Sequence, residues 1–186
     1  LTINPTQIEL ALNATALTTA DIKTGVTATD LEDGDITSNI TTSGTVNTAV
    51  AGTYIVTYTV TDSDGNLATG TRSYLVGALA VGTDYAIYGN DFTVLVSDVD
   101  MTDKQGQIES KSHIKAEKIS DGTAATITMV HDGGYTNTPG SYQPLFRVGE
   151  ETGTSTTITA TVATGTAPVL TVNPGVVQLT KDAPVP

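Results

Sequence analysis

Residues 51–76 read AGTYIVTYTVTDSDGNLATGTRSYLV. Apolar residues occupy every second position from Tyr54 to Val60 and alternate with threonines, which is the period of a strand with one buried and one solvated face. A turn follows at 62–66, because Gly65 accepts a positive φ and Asp and Asn tolerate one. A second threonine-rich run completes the pattern, which predicts a β-hairpin.

The composition of the whole chain points the same way. Threonine is the commonest of the 186 residues, and Thr and Val favour pleated surfaces. The length exceeds that of one small sandwich and suits two domains of about 75 to 110 residues each. No apolar run approaches the about 18 residues needed to cross a bilayer, so we expect no direct membrane insertion. The fold class predicted is all-β.

The net charge of the chain limits the classes of partner that it can bind. Twenty acidic residues outnumber eight basic ones, which gives a net charge of -12. Such a surface disfavours nucleic acid and anionic membranes as partners. The chain has no cysteine, so disulfides and thiolate metal sites are excluded.

A short repeat suggests a longer parent chain. Leu1 to Leu10 returns as Leu170 to Leu179 with five identities in ten positions. We therefore expect a fragment of a tandem array, in which residues 168–186 are the first strand of a following repeat or a tail. The alternative is two similar first-strand segments in unrelated domains.

The first 50 residues predict further short strands. We expect a first strand over 1–12, with Pro5 at an edge or bulge, and a second over 21–29. Shorter strands are predicted around 36–40 and 45–46. All connections read as turns rather than long crossovers, which predicts an antiparallel sandwich.

Two stretches of this region carry a family resemblance. They are GVTATDLEDGDIT at 25–37 and GTYIVTYTVTDSDGN at 52–66. Together they resemble the immunoglobulin-like (Ig-like) repeats of bacterial surface proteins, including those related to the HYR module. The resemblance covers 1–77 and implies a seven-strand-type sandwich at the bacterial cell surface or cell wall, in an extracellular stalk or adhesin without catalytic activity.

Residues 78–167 are predicted to form a second β domain. Strands are expected at 85–88, 92–96, 114–119, 123–130, 143–148 and 156–162. A short helix is predicted over 102–112, capped by Thr102 or Ser97 and weakened by Gly106.

The sequence of the second predicted domain repeats a pattern found in the first. The phrase PGSY at 139–142 repeats AGTY at 51–54, and each precedes an apolar strand, a turn and a threonine-rich strand. We therefore predict a divergent second sandwich, with a weaker resemblance to bacterial Ig-like modules. The complete prediction is two tandem antiparallel Ig-like β-sandwich domains.

Acidic loops give the one candidate metal site. In an Ig-like order, the loop after the second strand and the last hairpin loop lie at the same end of the sandwich. Several carboxylates and an amide at one end suit Ca²⁺, which takes six to eight oxygen ligands. The alternative is ordinary turn chemistry, in which these side chains bind nearby backbone amides. The candidate ligands are Asp30, Glu32, Asp33, Asp35, Asp62, Asp64 and Asn66.

No catalytic constellation is visible. His113 and His131 are the only imidazoles, and neither is accompanied by a Gly-x-Ser-x-Gly elbow. We therefore predict that the chain is not an enzyme.

Exposed aromatic side chains are candidates for glycan binding, because sugar rings stack on aromatic faces. In the second domain the candidates are Tyr85, Tyr88, Tyr135 and Tyr142. Tyr135 lies in a glycine-rich loop and is the predicted ligand-binding residue, whereas Tyr142 is better explained as a structural corner residue. The function predicted is a non-catalytic spacer whose partners are neighbouring Ig-like repeats of the same chain. The alternative is a module that binds a glycan or host surface protein through the second domain.

Overall fold

The computed structural model describes residues 1–149, 153–165, 170–172 and 177–179. These residues form several small sheets with few helices, which confirms the all-β prediction. The two α-helices of the described residues have five and nine residues, and neither is long or apolar enough to cross a membrane.

Residues 1–76 contain eight strands and one α-helix. They are β1 (Thr2–Ile3), β2 (Gln7–Leu10), α1 (Thr19–Lys23), β3 (Val26–Thr27), β4 (Thr29–Asp30), β5 (Gly34–Asp35), β6 (Thr41–Ser43), β7 (Gly52–Thr61) and β8 (Leu67–Val76). The main sheet has the order β2-β8-β7-β6.

The predicted hairpin is confirmed as the longest unit of this region. Strands β7 and β8 pair antiparallel along their whole length, from Gly52 opposite Val76 to Thr61 opposite Leu67. Gly65 has a φ of +87° in the connecting turn, the conformation for which glycine is suited. Ten residues at about 3.3 Å each make the hairpin about 33 Å long.

The expected first strand over 1–12 is wrong in one respect: it is two strands in two sheets. Ile3 of β1 pairs with Val26 of β3, whereas Leu10 of β2 pairs in parallel with Val76 of β8. Pro5 lies between them and has no N–H for a ladder. The chain therefore leaves one sheet and joins the other at this proline.

The strand predicted over 21–29 begins later than expected. Residues Thr19–Lys23 form α1, because Thr18 and Asp21 make a capping box: the Thr18 side chain accepts from the Asp21 amide, and the Asp21 carboxylate accepts from the Thr18 amide. The expected inward face at Val26 and Ala28 is confirmed, since both are buried.

The strands predicted at 36–40 and 45–46 are absent. Residues Thr37–Asn39 form a 3-10 turn whose flanking residues Ile36 and Ile40 are both buried. Apolar spacing of four residues thus marks a turn here rather than a strand. Pairing with β7 occurs at Thr41–Ser43 instead.

An arginine lies inside this first core. Arg72 is fully buried among Tyr58, Tyr74 and the other core residues of this region. Its guanidinium donates to the carbonyl oxygens of Pro5, Ile22 and Thr24 at 2.8 to 3.0 Å. Since those carbonyls come from the first-strand break and the end of α1, Arg72 ties both segments to the hairpin.

Residues 80–163 contribute ten further strands and a second α-helix. They are β9 (Ala80–Val81), β10 (Tyr85–Tyr88), β11 (Phe92–Leu95), α2 (Lys104–Ser112), β12 (Lys115–Lys118), β13 (Ala124–Ala125), β14 (Ile127–His131), β15 (Gly140–Tyr142), β16 (Leu145–Val148), β17 (Ser155–Thr157) and β18 (Ala160–Ala163). The sheets have the orders β13-β12-β10-β9, β11-β18-β15 and β14-β16-β17. The helix predicted over 102–112 is confirmed in place.

The N-terminal cap of α2 differs from the expectation. Asp103, rather than Thr102 or Ser97, caps α2, and its carboxylate accepts from the Gly106 amide at 2.9 Å. A Cβ at Gly106 would lie 2.2 Å from Oδ2 of Asp103. The glycine expected to weaken this helix therefore makes room for its cap.

Two three-strand groups share one pairing pattern. In β2-β8-β7 and in β11-β18-β15, the central strand pairs in parallel with the first strand and antiparallel with the third. Gly52 opposite Val76 corresponds to Gly140 opposite Val162. The expectation of wholly antiparallel pairing is thus wrong for the two parallel pairs, and the first and last strands of each group meet side by side.

The tyrosines of the repeated phrase also match. The Tyr54 hydroxyl donates to the Val50 carbonyl oxygen at 2.9 Å, and the Tyr142 hydroxyl donates to the Thr138 carbonyl oxygen at 2.7 Å. In both cases the acceptor lies four residues earlier. The corner role predicted for Tyr142 is confirmed.

The structure describes six residues of the second copy of the sequence repeat, 170–172 and 177–179. Strands β19 (Leu170–Val172) and β20 (Val177–Leu179) pair antiparallel with each other. The rest of the predicted segment 168–186 lies outside the described residues, so its assignment as a first strand or tail stays a prediction. Residues 150–152, in the turn predicted between the strands at 143–148 and 156–162, also lie outside the described residues.

Candidate functional site

The two acidic loops meet at the closed end of the hairpin, which we call the acidic pole (residues 30–35 and 62–66). Asp33 joins them, because its carboxylate accepts from the Ser63 amide and from the Ser63 hydroxyl, both at 2.7 Å. This end lies about 33 Å from the open end of the hairpin, by the rise of its ten residues.

The Asp62 side chain forms hydrogen bonds within its own turn. Its carboxylate accepts from the amides of Asp64 and Asn66 at 3.0 and 2.8 Å, and from the Asn66 side chain at 2.8 Å. The bonds from the side chain and backbone of Asn66 lower the pKa of Asp62, and the nearby Asp30 charge opposes them. The ionised form of Asp62 is therefore stabilised without a cation.

Asp30 and Asp35 behave in the same way. Asp30 accepts from the amides of Asp33 and Glu32, and these bonds lower its pKa. Asp35 accepts from the Thr37 amide at 2.9 Å, and hydrogen bonding by Thr37 lowers its pKa as well. Both carboxylates therefore serve the turns that contain them.

The pole as it stands has no assembled metal centre. Glu32 and Asp64 are exposed, and among the residues that the structure describes, no group of three or more His, Asp or Glu side chains is arranged to hold a metal ion. The structure brings the seven predicted residues to one end of the hairpin. Calcium binding there stays a prediction.

The residue predicted to bind a ligand, Tyr135, is buried. Its relative exposure is 0%, its hydroxyl donates to Gln107 at 2.9 Å, and its ring packs edge-on against Phe92 and Tyr142. The expectation of an exposed platform is wrong, because the glycine-rich loop turns the ring into the core. Tyr135 presents no face on which a sugar could stack.

The two histidines have local roles. His113 ends α2 with a φ of +51°, and His131 ends β14 and accepts from the Gly133 amide at 3.2 Å. Neither has a hydrogen bond to a serine or a carboxylate among the contacts of the described residues.

A second feature was not predicted: a packed junction between the hairpin and β10–β12. Ser73 and Leu75 lie on the face of β8 that alternation predicts to be solvated, yet both are buried. Leu75 packs with Ala86, Tyr88 and Ile119. Strand β8 is therefore covered on both faces near its end.

Polar contacts fix the same junction. The Ser73 hydroxyl donates to the Ile119 carbonyl oxygen at 2.5 Å. The Thr53 amide donates to Oε2 of Glu117 at 2.6 Å, and the Thr53 and Tyr88 hydroxyls are 2.8 Å apart. The other Glu117 oxygen accepts from Lys115 at 2.7 Å.

Little in the sequence could reveal these contacts. The one signal is the run SYLV at 73–76, in which three consecutive apolar residues break the alternation. In the structure all five residues from Arg72 to Val76 are buried. A continuous buried run is typical of a strand covered on both faces. It does not identify the partner, because Glu117 lies 64 residues away from Thr53.

The first core, the hairpin and the acidic pole described above lie largely within 21–76, the stretch that matches a known family. Residues 21–76 match the family of bacterial surface protein Ig-like domains. The resemblance seen in the sequence is thereby confirmed. Residues 78–167 lie outside the match.

Structures similar to the Ig-like domain and its neighbouring residues include a lipoprotein from Bacteroides thetaiotaomicron, at 15% identity and a TM-score of 0.40 over 84% of this chain and 96% of that one. Another contains the CBM51-2 domain in complex with GlcNAc and the INT domains of ZmpB from Clostridium perfringens, at 19% identity and a TM-score of 0.33. There the match covers 76% of this chain and 28% of that one. Comparison with curated proteins gives no match.

Proposed function

We propose that this chain is a non-catalytic spacer of a bacterial surface protein, in which two β-sandwich domains, 1–77 and 78–167, are held in a fixed relative orientation. The packed junction carries this proposal. The Ig-like match supports the surface location, which we take to be extracellular.

The path of the chain suits a spacer. Leu1 packs beside Gly70, towards the closed end of the hairpin, whereas Val76 leaves from the open end, where β10 and β12 are packed. Entry and exit of the Ig-like domain are thus separated along the hairpin. Tandem domains joined in this way add length with each unit.

The junction supplies stiffness. Domain interfaces within a chain permit relative motion unless they are well packed and apolar. Here Leu75, Ala86 and Tyr88 are each 0% exposed, and the polar bonds of Ser73 and Thr53 fix the register of the two surfaces. Only residues 77–79 connect β8 to β9, so the linker between the two proposed domains is short.

The matching strand groups support a second sandwich. The common pairing pattern of β2-β8-β7 and β11-β18-β15, with a Tyr–carbonyl bond at the same place in each, is what two divergent copies of one architecture would retain. In this proposal neighbouring repeats of the same chain are the partners at either end.

Small-angle X-ray scattering tests the spacer. A rigid pair of domains predicts an elongated particle, with a scattering curve that one conformation fits and that salt leaves unchanged. A curve that requires an ensemble of orientations would contradict a spacer of fixed geometry.

A further inference from the structure

A polar groove surrounds Tyr85, at the boundary between the hairpin and β10–β12. Three adjoining cavities, of about 630, 580 and 380 Å³, all have Tyr85 in their walls. We call them together the Tyr85 groove. Each of the three cavities has a volume in the range of small-molecule sites, which are commonly about 300 to 1,000 Å³.

The largest of the three cavities is built from both parts of the chain. Gln7, Thr71 and Ser73 come from the sheet β2-β8-β7-β6, whereas Asp84 precedes β10 and Lys118 ends β12. This cavity therefore depends on the packed junction, with four of its ten lining residues from before residue 77, whereas the other two cavities are lined by residues 80–155 alone.

The side chains of the groove are available to a ligand. Most aspartates of this chain accept hydrogen bonds from nearby amides, as Asp62 does. By contrast, the Asp84 carboxylate and the Lys118 ammonium are exposed and have no side-chain hydrogen bond within the part of the chain that the structure describes. The Tyr85 ring is half-buried, so one part is anchored and another faces the groove.

The chemistry of the lining selects the class of ligand. Hydroxyls, an amide, a carboxylate and an ammonium group offer both donors and acceptors, which suits a molecule rich in hydroxyl groups. The aromatic ring offers an apolar face to the C–H face of a sugar ring. Asp84 and Lys118 have opposite charges, and the chain has a net charge of -12, so an acidic ligand is disfavoured.

We propose that the Tyr85 groove binds a neutral oligosaccharide, with one sugar ring on Tyr85 and neighbouring hydroxyls held by Asp84 and Lys118. Three cavities that share Tyr85 in their walls offer room for more than one sugar ring, which favours a short chain of sugars over a single ring. This inference is independent of the spacer role, since a rigid junction without a ligand would still separate its two ends.

The test is a glycan array carrying neutral and acidic oligosaccharides, followed by titration calorimetry with the best neutral glycan. We expect neutral glycans to be retained and Tyr85→Ala to reduce affinity about tenfold or more, the equivalent of one strong contact. Tyr85→Phe keeps the ring and should keep most of the affinity. Tyr54→Phe, remote from the groove, is the control for altered folding.

Two exposed positions keep the test informative if Tyr85→Ala fails to fold. Asp84→Ala and Lys118→Ala should each weaken binding about fivefold or more while leaving the melting temperature within about 1 °C, as expected for exposed positions. No retention of any neutral glycan, retention of acidic glycans alone, or equal affinity in the wild type and in all three alanine variants would overturn the proposal.

Discussion

Oε2 of Glu117 accepts a hydrogen bond from the backbone amide of Thr53 at 2.6 Å, across the boundary between the Ig-like domain and the strands that follow it. The side chain of Glu117 is 15% exposed, and its second oxygen binds Lys115. A charged group thus covers the edge of β7 where the hairpin packs against β10 and β12.

Removing this contact should loosen the junction. We expect Glu117→Ala to lower the free energy of unfolding by about 1.5 to 3 kcal/mol, the usual range for a hydrogen bond to a charged group. Glu117→Gln keeps an acceptor without the charge, and should cost about half as much. Urea unfolding measures both values.

The matched control is Glu109→Gln, on the surface of α2, where the expected change is within about 0.5 kcal/mol. Equal stability of the wild type and Glu117→Ala would show that the junction does not depend on this bond.

The two corner tyrosines give a matched pair of variants. Tyr54→Phe and Tyr142→Phe each remove one hydroxyl that donates to a carbonyl oxygen four residues earlier. We expect each to lower the free energy of unfolding by about 1 kcal/mol, the typical net value of such a bond. If one variant were neutral and the other costly, the two corners would not be equivalent.

Buried tyrosines predict a loss of stability at high pH. Burial raises the pKa of Tyr88 to about 12 and raises the pKa of Tyr58 well above its usual range. The unfolded chain releases these protons near pH 10, the ordinary tyrosine pKa, while the folded chain keeps them. Their contribution to stability is therefore complete below pH 10 and is lost as the pH rises through 12.

Urea midpoints at pH 8, 10 and 11 measure this loss. Tyr88→Phe should unfold with a shallower dependence on pH above 10, because it removes one tyrosine whose pKa is raised by burial. An unchanged slope in this variant would assign the loss of stability to other groups.

Variants of two neighbouring aspartates in the acidic pole distinguish ordinary turn chemistry from calcium binding. Asp62 accepts three hydrogen bonds within the turn, whereas the Asp64 side chain accepts none among the described contacts. We expect Asp62→Ala to lower the melting temperature and Asp64→Ala to leave it unchanged, equally in EDTA and in millimolar calcium. Calorimetric heat of calcium binding, abolished in both variants, would instead support the calcium prediction.

The hairpin could be predicted from the sequence because its information is local. Alternation over Tyr54 to Val60 and the turn at 62–66 fix both strands and their register within one stretch of chain. The meeting of the acidic loops followed from the expected strand order. Turn chemistry at Asp62 was foreseeable for the same reason, since its partners lie within four residues.

The sequence predictions were wrong mainly where burial depends on contacts between residues that are distant in the chain. The capping box of Thr18 and Asp21 begins α1, whose last three residues fall within the strand predicted over 21–29. Tyr135 sits in a glycine-rich turn that looks exposed in the sequence, but long-range packing against Phe92 buries it. The burial of Ser73 depends on Ile119, 46 residues away, which no alternation pattern encodes.

The proposed fixed orientation of two domains is tested most directly by a distance measured between spin labels. The chain has no cysteine, so Glu32→Cys and Asn137→Cys place labels at two exposed sites, one in each domain, without background. Glu32→Cys with Ala49→Cys, both in the Ig-like domain, gives the width expected of a rigid body. We predict a single distance distribution of the same width for both pairs, broadened by Glu117→Ala. A broad or multimodal distribution for the first pair in the otherwise unchanged chain would contradict a rigid spacer.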